Sequence, residues 1–117
     1  ITTRLVGSEM CKETENIFQG IALVGEEEQF DLLIKGKHYR IDRIVSSGHS
    51  SPQGFWYDQE DDEWIMLIQG KAVLEIEDKL VELKAGDYLF LPKNCRHRVE
   101  KTSVDPACVW LCFFAIE

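Results

Sequence analysis

Basic residues are scarce in this chain. Thirteen Lys and Arg stand against 21 Asp and Glu, for a net charge of −8 and a pI near 4.9. That balance excludes the basic face that nucleic acid rewards, and it disfavours anionic membrane surfaces. Long apolar runs are also missing. The longest, such as 64–68 and 109–116, fall well short of the ~18 residues that a membrane-spanning helix needs. No basic, apolar, small-residue leader precedes the fold, so a cytoplasmic location is expected. The four cysteines, Cys11, Cys95, Cys108 and Cys112, form no CxxC pair and no metal-finger spacing. In the cytoplasm they are expected to be reduced thiols, mostly buried. Nucleophile elbow, phosphate-binding glycine loop, nucleotide fingerprint and Cys/His catalytic motif are all absent.

What is present is strand-like. At 117 residues with 44% hydrophobic and 29% charged content, the chain has the size and composition of one globular domain with one core. No stretch sustains an apolar period of 3.6 residues. Short alternating runs at 39–45, 63–69, 71–77, 79–83, 88–91, 96–101 and 109–116 are separated by Gly, Pro, Asn, Asp and Ser. Ala72, Leu74 and Ile76, for example, alternate with Lys71, Glu75 and Glu77, which gives a strand one dry face. Runs of this kind predict an all-β domain closed as a small antiparallel barrel or jelly roll. Residues 1–37 carry weaker signals: a short strand near 17–24 and a turn of helix or a strand near 28–34. They read as an N-terminal arm or edge strands beside a barrel at 38–117.

The segment "GFWYDQEDDEW", residues 54–64, interleaves aromatic rings with acids. A solvated loop does not need the rings and a core strand does not tolerate the acids. On strand parity Glu63, Ile65 and Leu67 share one face, as do His97 and Val99. If both strands line a barrel mouth, a carboxylate and an imidazole converge above an apolar floor. Gln59 lies four residues before Glu63 and can reach the same point from the loop, and Asp58 or Tyr57 offers another oxygen. Phe55, Trp56 and Tyr57 are expected to wall the mouth, with Asp61 and Asp62 facing solvent. Arg43 shares a face with Tyr39 and Ile41 and could bind an acidic ligand or pair with the acidic loop. His49 is close enough in sequence to swing toward the pocket. "DQEDDE" lacks the central glycine and the length of a calcium loop.

Two segments resemble the paired signatures of the cupin superfamily. In "GDYLFLPKNCRHRV", Gly86, Pro92 and His97 keep the signature spacing, with Asn94 where a second glycine is usual and Lys101 where an asparagine is usual. Asn tolerates the left-handed turn that glycine fills there. In "EWIMLIQG", Glu63 and Gly70 match the end of the first signature. Its His-x-His pair is missing, and its places fall on Tyr57 and Gln59 in one register or on Trp56 and Asp58 in the other. The resemblance implies a metal site at Gln59, Glu63 and His97, with Asp58, Tyr57 and His49 as further candidates. Oxygen and imidazole donors suit Zn, Mn, Fe, Ni or Co. The implied pocket is lined by Phe55, Trp56, Tyr57, Ile65, Leu67, Val99 and Arg43 and takes a small-molecule ligand; a homodimer is the implied assembly. Three functions fit: a metal-dependent enzyme on a small organic acid, sugar or oxygen-dependent substrate, a non-catalytic binding or sensing module, or a metal-free isomerase or epimerase with His97 and Tyr57 as acid and base. Fold alone does not choose among them.

Overall fold

The computed structural model describes residues 14–22 and 25–116, together with the backbone of residues 3–5. Cys11 and residues 23 and 24 of the strand expected near 17–24 lie outside the described residues. Residues 17–20 form a turn, and no described residue is helical. The strands are β1 (Thr3–Leu5), β2 (Gln29–Lys35), β3 (Tyr39–Ser46), β4 (Asp62–Gln69), β5 (Lys71–Ile76), β6 (Lys79–Lys84), β7 (Tyr88–Leu91), β8 (His97–Thr102) and β9 (Cys108–Ala115). They build two facing sheets, one of six strands ordered β1-β2-β3-β9-β4-β7 and one of three ordered β6-β5-β8. All pairings are antiparallel except that of β1 with β2. This is a cupin-type jelly roll, the all-β architecture that the alternation predicts.

Turn chemistry explains where the strands stop. Gly70, at φ 96°, joins β4 to β5, and a Cβ there would lie 2.9 Å from the Cys108 backbone. Only glycine satisfies both constraints. Asn94 takes φ 63° in the turn before β8 and fills the place of a glycine.

The core lies between the sheets. Ile65, Leu67, Leu91, Trp110, Cys112 and Phe114 of the large sheet close against Ala72, Leu74 and Leu83 of the small one. Leu67 is completely buried in this floor. In β4 the inward set is Glu63, Ile65 and Leu67, as parity requires.

The other face of the large sheet is covered at one end and bare at the other. At the covered end Arg43 is buried, with Nε and Nη2 donating to Asp31 Oδ2 at 2.9 and 2.6 Å. Its Nη1 donates to the backbone oxygens of Ile17 and Gln19 at 2.8 and 2.6 Å, which ties residues 17–19 over β2 and β3. The expectation that Arg43 faces the pocket is thereby corrected. It lies on the opposite face of β3, and its ion-pair partner is Asp31 on β2, outside the acidic loop. At the bare end Phe90, Trp64, Phe113, Ile41 and Ile34 stand opposite one another in register across five strands.

Candidate functional site

A cavity of about 460 Å³ opens between the sheets. Its floor is apolar: Ile65 of β4, Leu74 of β5, Val99 of β8, and Trp110 and Phe114 of β9. Four polar side chains meet at its centre, and Glu28, Lys35, Arg40 and Asp42 line it as well. Glu63 comes from β4, His97 from the start of β8, and Tyr57 and Gln59 from the loop before β4.

Backbone pairing decides the loop register. Tyr57 and His97 form an isolated antiparallel bridge, with Tyr57 N–H to His97 O at 2.7 Å and His97 N–H to Tyr57 O at 3.1 Å. Asn94 N–H then donates to Gln59 O at 2.8 Å. This fixed, extended segment turns Tyr57 and Gln59 inward, so of the three rings expected at the mouth Tyr57 lines the cavity and Phe55 and Trp56 are corrected. Phe55 is exposed and packs edge-on against Tyr57, with centroids 4.9 Å apart. Trp56 turns away from the cavity and lines a surface cleft, and Arg96 stacks on its ring, 4.6 Å from the centroid. Asp58 is exposed and outside the cavity lining. His49 is engaged elsewhere, with Nδ1 accepting from Ser47 N–H at 2.8 Å and Nε2 lying 2.9 Å from Gly25 O. Leu67 is core beneath the site and does not line it. Asp62 accepts from Lys93 N–H at 2.8 Å, away from the cavity.

At the centre Glu63 Oε1 stands 3.7 Å from His97 Nε2. Gln59 Nε2 donates to the same Glu63 oxygen at 2.8 Å, and Cys112 of β9 lines the same cavity. Burial raises the Glu63 carboxyl from 4.5 to about 7, against the pull of the Gln59 bond. The His97 ring stacks on Tyr57 with centroids 5.3 Å apart, and burial lowers its basicity. His97 Nδ1 lies 3.0 Å from Cys95 O. A carbonyl oxygen only accepts, so Nδ1 carries the proton and neutral His97 presents a bare Nε2 to Glu63. Burial also raises the Tyr57 phenol, which stays a proton donor.

β3 supplies groups that the sequence reading passes over. Arg40, Asp42 and Ile44 line the cavity, as do Phe30 of β2 and Cys112 of β9. Arg-x-Asp alternation was visible in "YRIDRI", but nothing local says which parity faces inward.

A tightly held transition metal needs three or four strong donors. Among the described residues no three His, Cys, Asp or Glu side chains gather as a metal site. Glu63 and His97 provide two, Gln59 adds a neutral amide, and burial keeps the Cys112 thiol protonated. This set fits a weakly held, exchangeable ion and does not fit a resident one.

The chain is similar over residues 44–114 to the family model described as the cupin domain. No curated protein matches it. Among solved structures, a candidate mannose-6-phosphate isomerase from Ralstonia eutropha JMP134 is 36% identical, covering 91% of this chain and all of its own, with a TM-score of 0.85. A cupin superfamily protein from Desulfitobacterium hafniense DCB-2 is 18% identical over 91% of this chain and 94% of its own, with a TM-score of 0.74. KdgF from a Halomonas species is 17% identical over 82% and 86%, with a TM-score of 0.66. These last two share the fold. With its barrel, its paired signature segments and a family match spanning residues 44–114, the chain belongs to the cupin family.

Proposed function

We propose that the chain is an enzyme of the isomerase type, moving a proton within a small hydroxyl-bearing carbonyl compound held in the barrel. One observation carries the reading: the buried Glu63 carboxyl faces the bare nitrogen of His97 at 3.7 Å on the wall of an apolar cavity. A carboxyl poised near 7 serves as base or acid at neutral pH. Ionised Glu63 takes the proton from the carbon beside the carbonyl. Tyr57 gives a hydrogen bond to the carbonyl oxygen as charge develops there, and His97 Nε2 accepts the proton of the neighbouring hydroxyl. His97 then gives that proton to the former carbonyl oxygen, and Glu63 returns its own to the former carbonyl carbon as the neighbouring oxygen becomes the new carbonyl, so atoms and charges balance. The likeness to the Ralstonia candidate mannose-6-phosphate isomerase, at 36% identity, supports this class. The test is deuterium wash-in from heavy water beside the carbonyl of aldoses, sugar phosphates and uronates, followed by NMR. Exchange that needs the wild-type chain and vanishes in Glu63→Gln is expected; no exchange with any of these compounds would overturn the reading.

The histidine favours a second reading. His97 Nδ1 is braced by a carbonyl, as it is in metal-bound imidazoles, and Nε2 is left open. In this reading Gln59, Glu63 and His97 hold Zn, Mn, Fe, Ni or Co as a weakly bound, exchangeable ion. Elemental analysis of protein reconstituted with Zn or Mn and then gel-filtered separates the two. The donor set predicts that less than one equivalent is retained. A full equivalent, lost in His97→Ala, would instead establish the metal site.

The partner on the bare sheet face is a second copy of the chain. Tyr88, Phe90, Ile34, Tyr39 and Phe113 are 66, 57, 51, 39 and 38% exposed, and no described residue covers them. They leave on the order of 500 Å² of apolar surface open. That is at the upper end for a monomer and most of the ~800 Å² that each partner gives to a stable interface. Light scattering at micromolar concentration is expected to show a dimer and Phe90→Glu a monomer. A monomeric wild type would refute this.

A further inference from the structure

We propose that Arg40 and Asp42 form the substrate-recognition end of the cavity, reading an anionic group and an adjacent hydroxyl, so that the ligand is a hydroxylated anion such as a sugar acid or sugar phosphate. The inference rests on the cavity being the substrate site and adds the class of molecule that enters it. Arg40, Phe114 and Glu63 stand opposite one another in register, which puts the guanidinium one strand beyond Phe114 from the acid–base pair. Its Cζ lies 4.3 Å from the centroid of the Phe114 ring, and Nε lies 3.1 Å from Asp42 Oδ2. The ring holds the plane of the fork, and Nε, though ion-paired with Asp42, is a buried donor without a hydrogen bond among the described residues. The terminal nitrogens make no hydrogen bond among the described residues, and the side chain is 37% exposed on the cavity wall. A planar fork held this way suits two oxygens of a carboxylate or phosphate.

Asp42 supplies the complementary half. The residue is 7% exposed, and its Oδ1 is buried with no hydrogen-bond partner. A buried acceptor left unmade costs stability, so it is a place where a ligand donor gains. A hydroxyl provides that donor. Asp42 is two residues from Arg40 on the same face of β3, which places the hydroxyl beside the anion. Trp110 and Phe114 offer apolar faces for the carbon skeleton between them.

The full chain is titrated by calorimetry at fixed ionic strength with D-glucuronate, D-glucose 6-phosphate and D-glucose. At least one anion is expected to bind about tenfold or more tightly than glucose. Whichever anion is preferred identifies carboxylate or phosphate as the group read. In Arg40→Gln the preference falls to within about twofold, and Arg40→Lys, which keeps the charge and loses the fork, retains only part of it. Asp42→Asn weakens glucuronate while leaving the fold, checked by circular dichroism, unchanged. Glucose binding as tightly as both anions, or a preference that survives in Arg40→Gln and Arg40→Lys, overturns the proposal. The readout is binding, so it stays separate from turnover: Glu63→Gln is expected to keep the anion preference while losing proton exchange.

Discussion

Arg43→Ala is expected to destabilise the chain by about 3–5 kcal/mol, the range for breaking a buried ion pair. Among the described residues Arg43 is the largest fully buried side chain, and it makes two bonds to Asp31 and two to the carbonyls of Ile17 and Gln19. Truncation removes all four bonds and opens a cavity, and each loss is costly at a buried site. Against a typical total of 5–15 kcal/mol this is a large fraction. Urea denaturation followed by Trp fluorescence measures it directly. Hydrogen exchange should also show amides of residues 17–20 losing protection first, because Arg43 holds that segment to the sheet. A loss below about 1 kcal/mol would mean that the segment does not depend on the guanidinium. Arg43 lies on the face of β3 turned away from the cavity and does not line it, so at temperatures where the variant stays folded its ligand binding should be intact.

The second large effect is at Glu63. If it is the base, Glu63→Gln should lower deuterium exchange by about 10²–10⁴-fold, the usual worth of a positioned acid or base. The same change should raise stability at alkaline pH. With its carboxyl raised from 4.5 to about 7, folded Glu63 keeps a proton that the unfolded chain has released. Its contribution therefore falls as pH rises from about 4.5 to 7 and levels off above, a swing on the order of 3 kcal/mol. His97 runs the opposite way. Burial lowers it below 6.5, so stability is lost as pH falls below 6.5, where the unfolded chain binds a proton that the folded one resists. The amide introduced by Glu63→Gln cannot ionise and keeps the shape, so the variant should exceed the wild type most above pH 7, with the gap closing toward pH 4.5. Chemical denaturation at pH 5, 7 and 8.5 checks this. Equal stabilities at pH 8.5 would show that the carboxylate is well solvated, and an undiminished exchange rate would remove it from the proton transfer.

Sequence alone determined the local pattern. Period-two alternation and turn residues placed the strands from Tyr39 to Ala115 to within one or two residues at each end. The Gly86, Pro92, His97 and Glu63, Gly70 spacings carried the family, and parity grouped Glu63 with Ile65 and His97 with Val99. Tertiary structure decided which of two possible faces is inside. Parity says that Arg40 and Asp42 share one side of β3 and Arg43 the other, but both sides are largely buried, one by the cavity and one by residues 17–19. Only the pairing of β3 with β2 and β9 assigns them. The choice of Tyr57 and Gln59 over Trp56 and Asp58 likewise came from a bridge to His97, forty residues away. Local periodicity records which side chains travel together, and strand pairing between distant segments decides where they point.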